Sequence, residues 1–146
     1  MELIGSWPFT IDILQVTEVA QRYDTVADWQ LDKGKLTIYY VNLGDALHNW
    51  LLIHHEIDEA CLCAMAGITQ AQVDEFDENY ERTRAPDDTD SEPGDQANAP
   101  YHFAHTAAEA MERTLALALG VIWGDYMEAI EEAFKRVRKA RAKSRS

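Results

Sequence analysis

The alternation of apolar and polar side chains changes period once along this chain, near residue 43. Phe9-Thr10-Ile11-Asp12-Ile13-Leu14-Gln15-Val16 alternates residue by residue, the pattern of a strand with one face buried. Residues 25–31 form a weaker second candidate. Asp32-Lys33-Gly34-Lys35 reads as a turn, and Leu36-Thr37-Ile38-Tyr39-Tyr40-Val41, β-branched and aromatic, reads as a third strand. The second and third strands are expected to form a hairpin, and the three, over residues 9–42, a small antiparallel sheet.

From residue 45 the period becomes helical. Leu47, Trp50, Leu51, Ile53, Ile57, Cys61, Leu62 and Met65 fall on more than one side of a helix over residues 45–66, so that helix is expected to be central and mostly buried. Gly67 is a natural stop, and Thr69 caps a second helix over 69–81. Residues 83–99 are acidic, polar and rich in turn formers. A loop of that length inside a small domain is either functional or mobile. Pro100 suits the first turn of a third helix, over 100–119, which stops at Gly120. A fourth helix covers 123–141. The prediction is one α+β domain over residues 1–146: a small N-terminal sheet of about three strands packed with about four helices. Trp50, Trp123, Tyr126 and Phe134 are assigned to its core, and no internal repeat is visible.

Composition narrows the class. The chain has 146 residues, 47% of them hydrophobic, enough for one real core. No apolar run is long enough to span a bilayer. Met1-Glu2-Leu3-Ile4-Gly5 lacks the basic start and apolar stretch of a secretory signal, so a soluble, cytoplasmic protein is expected. Cys61 and Cys63 are two apart on one helix and point to different faces, so they do not pair. The net charge is −13, but residues 135–146 hold seven basic residues and no acid. The other 134 residues set six basic against 26 acidic side chains. A body that acidic repels nucleic acid and favours a basic protein partner. The basic tail has three readings: a contact for RNA or DNA, a segment folded back on the body, or a solvated helix end that complements the helix dipole.

The candidate chemistry lies in two stripes. At ~100° per residue, Glu59 stands about 40° from His55 on the helical wheel, His48 about 20° to the other side, and Glu56 about 100° round. On the third helix His102, His105, Glu109 and Glu112 are spaced three, four and three apart and share a face. Facing stripes would bring His55, Glu59 and His105 to one point, with His102 or Glu109 as the alternative partner. Such a set suits Zn²⁺ and also accepts Fe²⁺ or Mn²⁺. Three protein ligands leave a position for water, whose pKa the ion lowers, and Glu56 is placed to take the proton as general base. The structural alternatives are a solvated stripe and a metal-free network in which Glu56 or Glu59 accepts from His105. The acidic loop, with Asp87, Asp88, Asp90, Glu92 and Asp95, reads as a solvated mobile loop, a Ca²⁺ site or a mimic of a nucleic-acid backbone. It does not have the EF-hand spacing.

His55-Glu56-x-x-Glu59, on a helix that follows a strand, resembles the active helix of zincin metallopeptidases, whose signature is H-E-x-x-H. In that family the two histidines are ligands, the intervening Glu is the base and a third ligand comes from a later helix. Position 59 is Glu here, so the second ligand would be a carboxylate. The likeness covers about 30 residues, from the third strand to the end of the first helix. A second resemblance covers most of the chain. His55-Glu56-Ile57-Asp58-Glu59-Ala60, Val73-Asp74-Glu75-Phe76-Asp77, Glu92-Pro93-Gly94-Asp95 and Ala99-Pro100-Tyr101-His102 are similar to a group of uncharacterised bacteriophage and prophage proteins. That implies a phage accessory protein in the bacterial cytoplasm, engaging a basic host or phage partner.

Other chemistries lack their motifs. The chain has no phosphate-cradling glycine loop, no dinucleotide fingerprint, no G-x-S-x-G elbow, no C-x-x-C pair and no E-x-x-H pair of di-iron bundles.

Overall fold

A computed structural model describes residues 8–146. The segment 1–7, which includes the residues read above for a secretory signal, lies outside the described residues. The elements run β1 (Thr10–Val16), β2 (Ala27–Asp32), β3 (Lys35–Val41), α1 (Ala46–Met65), α2 (Gln70–Thr83), α3 (His102–Leu119) and α4 (Trp123–Ser144), with short 3-10 turns at Glu18–Ala20 and Pro93–Asp95. This is the α+β arrangement expected. No helix among the described residues is long and apolar enough to cross a membrane.

The β2–β3 hairpin closes on a two-residue loop, Asp32 facing Lys35. Lys33 and Gly34 both take positive φ, 49° and 79°, as the tight hairpin turn that follows strand twist requires. The sheet departs from expectation in one respect. Its order is β1-β3-β2, and β1 runs parallel to β3, with Thr10 opposite Lys35, so the sheet is mixed rather than antiparallel. Alternation specifies a strand's faces but not its partner. Residues 17–26 carry the chain past the place beside β1, and β3, with Leu36, Ile38 and Val41 at most 1% exposed, takes the centre. β1 is left as an edge, and its Ile13 and Leu14 are exposed.

Helix α1 begins at Asp45, whose side chain accepts from the backbone N–H groups of Leu47 and His48, satisfying two donors the helix cannot. It ends where Gly67 turns left-handed (φ 76°) and the Ile68 N–H reaches back to the Cys63 carbonyl at 2.9 Å, a Schellman stop. The Thr69 hydroxyl and the Gln72 side chain cap α2 reciprocally. Residues 51–64 of α1 are all buried or half-buried, because the helix packs on β2 and β3 on one side and on α3 on the other. The α3 face that meets it carries Ala104, Ala108 and Ala116, all at most 2% exposed. Small side chains let the two backbones approach closely. His105 and Glu112 share that face, so they meet α1 inside the protein.

Tyr126 and Phe134 are buried and Trp123 is half-buried. Trp50, assigned to the core, is exposed and lies beside the His54 ring instead. Cys61 and Cys63 are free thiols.

Candidate metal centre

Three buried side chains converge between α1 and α3. Glu59 Oε2 lies 3.3 Å from His55 Nε2 and 3.0 Å from His105 Nδ1. The two imidazole rings stand 4.9 Å apart, nearly edge to face. One ligand atom from each residue falls within 4.8 Å of the other two. Four ligands at ~2.1 Å in a tetrahedron are roughly 3.4 Å from one another, so small side-chain shifts would close this group on a common centre. It can hold a metal ion.

The far side of each group is held as well. Glu112 Oε2 is 2.7 Å from His55 Nδ1, off the axis of the N–H, so the contact is an ion pair rather than a directed hydrogen bond. His105 Nε2 faces Asp95 Oδ1 at 3.1 Å and Glu92 Oε2 at 3.3 Å. Trp29 Nε1 donates to Glu59 Oε1 at 3.0 Å. Carboxylates behind histidines, and a donor behind a carboxylate, are what orient and fix metal ligands.

The electrostatics follow. Burial pulls both imidazoles down, but the carboxylates outweigh it. His55 is raised well above its ordinary value by Glu112 and Glu59, and His105 is raised to about 9 by Glu59 and Glu92. Glu59, although burial pushes it up, is held well below the usual range by the two histidines. Burial, then the Glu59 charge, lifts Glu56 well above it. Glu56 makes no hydrogen bond or ion pair among the described residues, and it faces the same cavity as the three converging groups.

That cavity has a volume of about 530 Å³. Deeper in it, Tyr101 and Tyr23 both donate to the Asp77 carboxylate, the latter at 2.9 Å, and burial raises Asp77 to about 7.

The acidic loop forms part of the cavity wall rather than standing free in solvent. Glu92, Gly94 and Asp95 sit against the His105 ring, and a Cβ at position 94 would run into that ring. Arg84 ties the loop down from α2. It lies between the Tyr80 and Phe134 rings and pairs with Glu81 at 2.7 Å and Asp88 at 3.3 Å.

Of the residues singled out from sequence, His55, Glu59 and His105 meet and Glu56 stands beside them. His102 does not join: its Nδ1–H donates to the Gly94 carbonyl at 2.8 Å, which places the loop. Glu109 does not join either. It pairs with Arg113 at 2.7 Å near the cavity mouth, one step round the helix from His105. Glu112 takes the inward place because seven residues return almost to the same angle. His48 packs its ring 5.5 Å from Tyr126. Sequence reasoning missed the parts played by Trp29 on β2, by Asp95, named there only among the acids of the loop, and by the pair of Asp77 on α2 with Tyr101 at the start of α3. Asp77, Asp95 and Tyr101 lie in three of the short motifs quoted above, and Trp29 lies in the weaker strand candidate.

No protein-family model, curated protein or solved structure matches this chain.

The basic tail is folded back on the acidic body. Arg141 pairs with Asp24 at 2.8 Å and donates to the Gln21 carbonyl. Arg138 donates to the Pro86 and Asp88 carbonyls, and Arg136 reaches Glu18 and the Asn42 carbonyl.

Proposed function

We propose that this protein binds a divalent transition metal, zinc by preference, through His55, Glu59 and His105, and uses it in hydrolysis with Glu56 as general base. The observation that carries this reading is that every candidate ligand is held from behind by a second side chain, in a group that lines a cavity. A network that served only to stabilise the core would gain nothing from a cavity wall, where water competes for each hydrogen bond. Two imidazoles and one carboxylate are a donor set zinc accepts.

The ion would supply a bound water of lowered pKa and polarise the bond to be cleaved. Glu56, adjacent in sequence to ligand His55 and free of other partners, would receive the water's proton on its carboxylate. Glu112 and Asp95 would keep the distal nitrogens of His55 and His105 protonated, so that the opposite nitrogens present lone pairs. Trp29 would hold Glu59 in its rotamer. The resemblance in sequence adds the setting we propose, a phage accessory protein.

Elemental analysis of tag-free protein tests the centre. About one equivalent of zinc, lost in His55→Ala and His105→Ala and accompanied by a thermal shift on zinc addition, is expected. Below about a tenth of an equivalent, with no shift, the centre is wrong. Glu56→Gln should keep the metal while lowering turnover by about 10²–10⁴-fold.

A further inference from the structure

Trp50 has the character of a core residue but lies at the surface. It belongs to a stripe along α1 formed by Leu47, Trp50, His54, Ile57, Cys61 and Ala64, spaced alternately three and four residues apart. That is the spacing of a seam that meets another helix. Trp50 and Cys61 stand about 120–140° round the helix from His55, so the stripe points away from the metal centre. Leu47 and Trp50 are each 43% exposed, Met65 at the end of the stripe is 65% exposed, and Ile57 and Cys61 are half-buried.

Helix α3 continues the surface. It runs antiparallel to α1, since His55 meets Glu112 while Glu59 meets His105. On its side away from the cavity it carries Phe103, Ala107, Met111 and Thr114, with Phe103 47% and Met111 39% exposed. Neither stripe holds Asp, Glu, Lys or Arg, in a chain of which 27% is charged. Asp58 borders the first stripe and is paired with His54 at 2.8 Å. The five large apolar side chains alone present on the order of 500 Å², beyond the few hundred that monomers rarely exceed and over half of the ~800 Å² that each partner gives to a stable interface.

We propose that this face pairs with the same face of a second copy of the chain, α1 antiparallel to α1, about a two-fold axis. The charges select that occupant. A basic partner is drawn to the acidic surfaces elsewhere rather than to an uncharged stripe, and two copies of a body at −13 can approach one another only where charge is absent. The stripe is also complementary to itself. Its spacing is the same read from either end, so an axis midway between residues 55 and 56 sets Trp50 against Cys61 of the second copy and Leu47 against Ala64 of the second copy. Large side chains then meet small ones. His54 of each copy comes beside Asp58 of the other, so the one charged pair at the seam is matched in both directions. The metal centre lies on another flank of α1 and takes no part.

Sedimentation equilibrium of the full chain at about 50 μM tests the pairing, since association depends on concentration. The wild type is expected to have the mass of two chains. Trp50→Glu and Met111→Glu should each weaken the dimer at least ~100-fold and give the mass of one, with helical content unchanged. Leu117→Glu, at an exposed position of α3 outside the stripe, should leave the dimer intact. Trp50→Cys gives a second readout that needs no loss of association. Mild oxidation should join position 50 of one copy to Cys61 of the other, and Trp50→Cys combined with Cys61→Ser should not cross-link. Within one chain the two positions lie about 16 Å apart along α1, too far for a disulfide. A wild type that stays monomeric overturns the assignment and leaves the face to a different protein. A dimer that survives both Trp50→Glu and Met111→Glu, or that forms no cross-link through Trp50→Cys, overturns it as well.

Discussion

Glu59 has two carboxylate oxygens with different duties: Oε2 faces both imidazoles and Oε1 accepts from Trp29. Trp29→Phe keeps an aromatic side chain, smaller than the indole, and removes the N–H, so the carboxylate can rotate. Zinc affinity, read by competition with a chelator, should fall about 10–100-fold, and stability should drop by about 1–3 kcal/mol through the unsatisfied buried acceptor. Asp77 gives a pH signature of its own. Its folded value of about 7 lies above the ordinary carboxylate value of ~3.9 in the unfolded chain. The native state therefore holds a proton more tightly than the unfolded one between those limits. This group favours the fold at acid pH and loses that contribution as pH rises from about 4 to about 7. Asp77→Asn removes the titration while its amide oxygen can still accept from a tyrosine. The difference in unfolding free energy between wild type and variant should decline over that window, by a few kcal/mol at most, and stay level above it. A difference that does not change with pH would contradict the raised value.

At the scale of elements, period and caps were legible in the sequence wherever a local rule sufficed. Asp45, Gly67, Thr69 and Gly120 mark the ends of α1, α2 and α3 within a residue or two of where they lie, because caps are made by neighbours along the chain. What was not legible depends on partners far away: the parallel seat of β1 and the place of residues 83–99 against His105. The two His/Glu stripes were visible, but their facing was not. It depends on the alanines, which the sequence presents as ordinary helix formers. Ala108 is completely buried between His105 and Glu112. Ala108→Leu should force α1 and α3 apart, cost about 1–3 kcal/mol by overpacking, and abolish zinc uptake by separating His105 from Glu59. Helical content by circular dichroism should remain, which would distinguish a misplaced ligand from an unfolded chain.

At the scale of the whole molecule, the net charge of −13 conceals an internal division of labour. Arg136 and Arg141 of the last helix pair with Glu18 and Asp24 elsewhere in the fold, whereas Glu56, Asp90 and Glu128 face the cavity with no ion pair among the described residues. Composition alone could not separate a tail that is free to bind nucleic acid from one tied to its own body, since both have the same charges. The geometry distinguishes them through Arg141. Its side chain is only 17% exposed and its guanidinium reaches Asp24 at 2.8 Å, along with the carbonyls of Gln21 and Arg22, more than a hundred positions earlier in the chain. One side chain thus fastens the end of α4 to the segment between β1 and β2, and that segment leads into Tyr23, Asp28 and Trp29 of the cavity wall. Charge-assisted, half-buried hydrogen bonds of this kind are worth more than exposed ion pairs. Arg141→Ala should therefore lower unfolding stability by about 1–3 kcal/mol, whereas Lys143→Ala, at an exposed position, should stay within about 0.5 kcal/mol. Chemical denaturation of the two variants beside the wild type measures both. If the two changes cost the same, the tail is merely solvated, and the anchoring of the cavity's far wall must be sought elsewhere.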